Sequence, residues 1–73
     1  ILYKREINFS ESNLPENFSG SVLARIRYRQ PLQSCRIDGS CAVFEKPQKG
    51  VAAGQSIVFY NNEEVLGGGI IEI

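Results

Sequence analysis

Polar and apolar residues alternate along much of this chain with a period of two, the pattern of strands that turn one face toward a core. The clearest run is Ser21 to Arg29, within SVLARIRYRQP. Extended, it places Val22, Ala24, Ile26 and Tyr28 on one face and Leu23, Arg25, Arg27 and Arg29 on the other. The first face suits a core. The second presents a row of guanidinium groups roughly 6.5 to 7 Å apart, close to the spacing of phosphates along a nucleic-acid backbone, and each guanidinium fork binds phosphate bidentately. The plainer alternative is a solvated outer face whose arginines partner nearby carboxylates.

The remaining chain divides in the same way. Leu2 to Phe9 is a first strand, with Tyr3, Arg5, Ile7 and Phe9 on one parity. Ser10 to Gly20, rich in Ser, Asn, Glu, Pro and Gly, reads as a loop with a short helical turn over Leu14 to Asn17 and Phe18 as its anchor. Pro31 ends the second strand. Ser34 to Ile37 and Cys41 to Glu45 form a hairpin about Asp38 and Gly39. Lys46 to Gln55, broken by Pro47, Gly50 and Gly54, reads mostly as loop, with Val51 turned inward. Ser56 to Tyr60 is apolar on both parities and so suits a central strand. Asn61 and Asn62 turn the chain, Glu64 to Leu66 returns, and Gly67 to Gly69 precedes a last strand, Ile70 to Ile73. Six or seven short strands without helical periodicity predict an all-β fold, a small closed or partly open antiparallel β-barrel. Closure is favoured because it removes exposed edges, and the glycine run permits sharp bends.

Length and charge narrow this further. With 73 residues the chain is a single domain. It lacks methionine and opens on Ile1, which suggests a piece, 1–73, of a larger protein. No apolar run is long enough for a membrane helix, and Lys4, Arg5 and Glu6 interrupt any secretory pattern at the start. Eight basic and eight acidic residues cancel, so any case for a polyanionic partner is local. It lies between Asn17 and Ile37, where Arg25, Arg27, Arg29 and Arg36 occur without an acid.

Cys35 and Cys41 flank the hairpin turn. A two-residue turn pairs Cys35 with Ala42 and Cys41 with Arg36; a three-residue turn pairs them with Val43 and Ile37. Neither register brings the Cβ atoms within the ~3.5 to 4.5 Å that a disulfide needs. Reduced, packed thiols in a cytoplasmic protein are the expectation.

With no histidine, nucleophile pairs and zinc sites that use it are excluded. No metal site is expected. Glu63 and Glu64 are adjacent, point to opposite strand faces and read as solvated turn charges. Gly67 to Gly69 lies between strands and lacks the Lys and Ser/Thr of a phosphate-binding loop. The chain itself is therefore expected to be non-catalytic and without a cofactor.

Four blocks, RIRYRQ (Arg25 to Gln30), FEKPQ (Phe44 to Gln48), VAAGQSIVFY (Val51 to Tyr60) and LGGGII (Leu66 to Ile71), occur in an order and spacing that resembles the C-terminal domain of the tRNA-specific 2-thiouridylases. The resemblance implies a barrel appended to an ATP-using enzyme that thiolates the wobble uridine of tRNA, with ATP and the redox-active cysteines in preceding domains absent from this chain. It implies tRNA contacts at Arg27, Tyr28 and Gln55, with Arg25 and Arg29 as a supporting basic face. Where the family carries proline before the Gly-Gln pair, this chain has Ala53. Because alternation sends Tyr28 inward, a Tyr28 contact requires the strand to end or bulge before Pro31. The alternative function is a protein-interaction or purely structural barrel that packs on its own enzyme or receives a sulfur-carrier partner.

Overall fold

The alternating runs become six strands. A computed structural model describes residues 3–15 and 18–72, and in it the strands are β1 (Tyr3–Ser10), β2 (Gly20–Arg25), β3 (Gln33–Asp38), β4 (Cys41–Lys49), β5 (Ser56–Asn61) and β6 (Glu64–Glu72). They close into an antiparallel barrel in the order β1-β4-β3-β2-β5-β6, with β6 returning to β1. Every strand thus has two neighbours, and the edge problem of a small sheet is removed by closure.

Ile7, Phe9, Ala24 and Ile26 turn inward as alternation expects, while Tyr3, Arg5 and Tyr28 on the same parities do not. Ile7, Phe9, Ala24, Ile26, Cys35, Ile37, Ala42, Phe44, Ile57, Phe59 and Ile71 form the core, with Leu14, Phe18, Val22, Val51 and Leu66 packed against it. The Phe9 and Phe59 rings meet at 5.1 Å with a 55° tilt, an arrangement that suits the quadrupoles of both. Phe18 and Val51 are the expected anchors. Tyr3 and Arg5 stay outside, because the β1–β4 register shifts between Lys4 and Glu6.

Several expected boundaries move, each for a local reason. The hairpin turn is Gly39–Ser40, since Asp38 pairs with Cys41. Glycine takes the first turn position, with φ 64°, where a two-residue hairpin calls for positive φ. Residues 46–49 are strand rather than loop. Pro47 is tolerated because the β1 ladder is interrupted between its Val43 and Gln48 pairings and β3 pairs only as far as Phe44. The glycine run lies inside β6 instead of preceding a seventh strand. A Cβ on Gly69 would stand 2.7 Å from the Ser10 carbonyl oxygen and 2.9 Å from the Phe9 ring, so the bare backbone is what lets β6 close against its neighbours. Of the expected helical turn, Leu14 and Pro15 are not helical, and Glu16 and Asn17 lie outside the described residues.

Both cysteines are free thiols. Their registers differ from both expectations: Cys35 faces Phe44 and Cys41 faces Asp38. Cys35 points into the core, where burial, with a smaller contribution from Cys41, pushes its thiol from 9.0 up to about 11. The unfolded chain then releases this proton near its ordinary pKa while the fold retains it. The contribution is therefore complete below about pH 9 and is lost as pH rises toward about 11. Urea midpoints measured on both sides of this window should fall less steeply for Cys35→Ala than for the wild type, and parallel declines would refute the linkage.

Candidate nucleic-acid interface

β2 stops at Arg25, so the arginine row expected on one strand face does not form. Beyond it, residues Ile26 to Gln30 turn back on themselves: the Gln30 N–H donates to the Arg27 carbonyl at 3.1 Å, and the Ile26 N–H donates to the Gln30 side-chain Oε1 at 2.9 Å. A side chain thus takes the donor that would have continued the ladder. Ala24 and Ile26 remain buried and Val22 is half-buried, as the alternation predicts, but Tyr28 escapes the core because the strand has ended. Its ring is 85% exposed.

The arginines take three separate tasks. The Arg25 guanidinium lies over the Tyr60 ring at 5.1 Å and the Tyr28 ring at 5.6 Å, a cation–π contact that half-buries it beside the turn. Arg27 donates through Nη2 to the carbonyls of Lys49 and Gly50. It thereby ties the β2–β3 connection to the end of β4. Gly50 has φ 67°, which favours glycine, and a Cβ there would meet Nη2 at 2.8 Å and displace the end of the Arg27 side chain. Arg29 is exposed.

Gln55 sits in the β4–β5 connection, at the same end of the barrel. Its Oε1 accepts from the Ala52 N–H at 2.8 Å, and its own N–H donates to the Ala52 carbonyl at 3.3 Å. Gly54 donates to the Ile71 carbonyl at 2.9 Å, and the Ile71 N–H donates back to Gln55 at 2.8 Å. These bonds hold the loop around Ala53. Among the described residues the Gln55 Nε2 amide has no hydrogen-bond partner.

Topology also sorts the charges. Lys4 and Arg5 at the start of β1, Arg25, Arg27 and Arg29 around the Tyr28 turn, and Lys46 and Lys49 toward the end of β4 gather at one end. Glu11, Asp38, Glu63 and Glu64 mark the other, Glu6, Arg36 and Glu45 lie along the strands between, and Glu72 ends β6 beside the Gly54–Gln55 loop on the basic side. A neutral total therefore conceals a polar molecule with a basic end.

Two features escaped the sequence. Gln48, only 3% exposed, lies at the base of the Tyr28 turn and bonds to Gln30. It shares the parity of the buried Ala42 and Phe44, but the exposed Lys46 and Pro47 interrupt that alternation before it. Asn13 bonds through Oδ1 to the Gly68 N–H at 2.7 Å, which occupies the glycine run and removes its use as an anion cradle.

The fold is a closed barrel with a basic, tyrosine-tipped end, and among the described residues no three His, Cys, Asp or Glu side chains are placed to hold a metal ion. The chain belongs to the aminomethyltransferase beta-barrel domain family, whose model matches residues 1–71. It is similar to the tRNA-specific 2-thiouridylase MnmA of Vesicomyosocius okutanii subsp. Calyptogena okutanii, 42% identical over 99% of this chain and 22% of that protein. The corresponding figures are 46%, 84% and 18% for that of Hahella chejuensis, and 37%, 92% and 19% for that of Streptococcus mutans. The resemblance read from the sequence holds across the chain, which spans about a fifth of the length of these relatives.

Proposed function

We propose that this chain is the tRNA-contacting barrel of a cytoplasmic tRNA-specific 2-thiouridylase. Its partner domains in the longer protein hold ATP and carry out sulfur transfer, and the barrel contributes binding without catalysis. The likeness to 2-thiouridylases supports the enzyme. The observation that carries the RNA contact is Tyr28, 85% exposed at the tip of a hydrogen-bonded turn and flanked by arginines. An exposed aromatic ring beside guanidinium groups suits an unpaired base stacked on the ring, with its flanking phosphates on the arginines. Gln55 offers its Nε2 amide to a base edge or ribose.

In the intact protein, Tyr28→Ala is expected to weaken tRNA binding by about 1 to 3 kcal/mol, and Tyr28→Phe to retain it, because stacking needs the ring and not the hydroxyl. Arg29→Ala should flatten the plot of log affinity against log salt by roughly 0.7 to 0.9, one phosphate's worth. Arg27→Ala should flatten it similarly and lose additional affinity, because it also undocks the turn. Binding by filter retention or fluorescence anisotropy at several salt concentrations checks all three. Unchanged tRNA binding in every variant would mean that the barrel is a structural or protein-docking module.

A further inference from the structure

The Tyr28 turn is held from beneath by a directional chain of amides. The Ile26 N–H is a donor, so the Gln30 side chain must offer it Oε1, at 2.9 Å. That fixes Gln30 Nε2 toward Gln48, which must in turn present its Oε1. Gln48 Nε2 then faces the Lys46 carbonyl, an acceptor, and donates to it at 2.8 Å. A backbone donor at one end and a backbone acceptor at the other permit only this orientation of both amides. Among the described residues Gln48 is the one buried polar side chain. It lies in the wall of the barrel, whereas Gln30 is half-buried at the foot of the turn.

We propose that Gln30 and Gln48 are positioning residues that set the orientation of Tyr28 for its ligand, with the rigid end of β4 as the reference frame. The buried Gln48 amide is costly to leave half-satisfied, so the turn has one preferred seat and little freedom to rotate. The inference rests on the reading that Tyr28 contacts RNA, and it adds two residues that do not themselves touch the ligand. It also accounts for a glutamine buried at the base of a surface turn, where a leucine would fill the same space.

The test uses amide hydrogen exchange and tRNA affinity together, in the intact protein. Gln30→Ala and Gln48→Leu break the chain from opposite ends. Each should speed exchange of the Ile26 amide about tenfold or more while leaving β5 amides unchanged, and should weaken tRNA binding several-fold without altering the salt slope. Gln30→Glu, which keeps an acceptor for the Ile26 N–H, should recover part of the protection. Adding Gln30→Ala to Tyr28→Ala should cost no further affinity, since the two act through one contact. Wild-type exchange at Ile26 in both variants, or equal acceleration through all strands, overturns the proposal. If Tyr28→Ala leaves tRNA affinity unchanged, the RNA reading fails, and the positioning role is then supported or overturned by Ile26 exchange alone.

Discussion

Phe59→Ala is expected to leave the barrel close to unfolding at room temperature. Phe59 is fully buried in β5, which is hydrogen-bonded to β2 on one side and β6 on the other, and its ring packs on Phe9. Truncating a buried phenylalanine costs about 3 to 5 kcal/mol through lost transfer energy and the cavity left behind. A domain of this size has a total of roughly 4 to 11 kcal/mol, so one side chain removes between about a quarter and all of it. Loss of the β circular-dichroism signal at a much lower urea concentration would show this. Val65→Ala is the control: Val65 is 64% exposed, and its removal should stay within about 0.5 kcal/mol. A Phe59→Ala protein with a near wild-type midpoint would mean that the core repacks around the gap.

Gly68→Ala should be nearly as damaging, for a different reason. A Cβ there would collide with the carbonyl group of Ile57, the residue before its ladder partner Val58 on β5. Backbone of a paired strand has nowhere to move, so relief requires opening the seam, at about 3 kcal/mol or more. Gly54→Ala separates steric from conformational cost. Gly54 has φ 91° but open space around its missing Cβ, so its substitution should cost only about 1 kcal/mol of backbone strain. Equal losses at Gly54 and Gly68 in thermal or urea melts would argue against a close-approach role for the glycine run.

Much of the barrel was legible because burial on a strand depends on parity, and parity is local. The alternation of Ile7 with Phe9 and of Ala24 with Ile26 selected inward residues without reference to pairing partners, whereas in Ser56 to Tyr60, apolar on both parities, the fold itself decided that Ile57 and Phe59 lie deepest. Strand ends were less legible, since they depend on what competes for the backbone. β2 stops at Arg25 because a glutamine four residues after Ile26 captures the Ile26 N–H, and propensity does not record that capture. The same competition turned Tyr28 outward against its parity and dispersed the expected arginine row into a stacked Arg25, a docked Arg27 and an exposed Arg29. β4 continued through Pro47 because its neighbours, rather than its own residues, determine which N–H groups must be paired.

The sequence by itself determined the all-β class, inward residues such as Ile7, Phe9, Ala24 and Ile26, and the membership of its characteristic blocks in a family. These follow from side-chain identity and from the two-residue repeat of an extended backbone, which hold wherever the strand lies. Only the tertiary structure decided that the charges of a neutral chain separate to opposite ends, that Arg27 reaches the carbonyls of Lys49 and Gly50, and that Gln30 meets Gln48. Those arrangements join residues 18 to 23 positions apart, and it is barrel closure, with its strand order β4-β3-β2, that brings the β2–β3 and β4–β5 connections to one end.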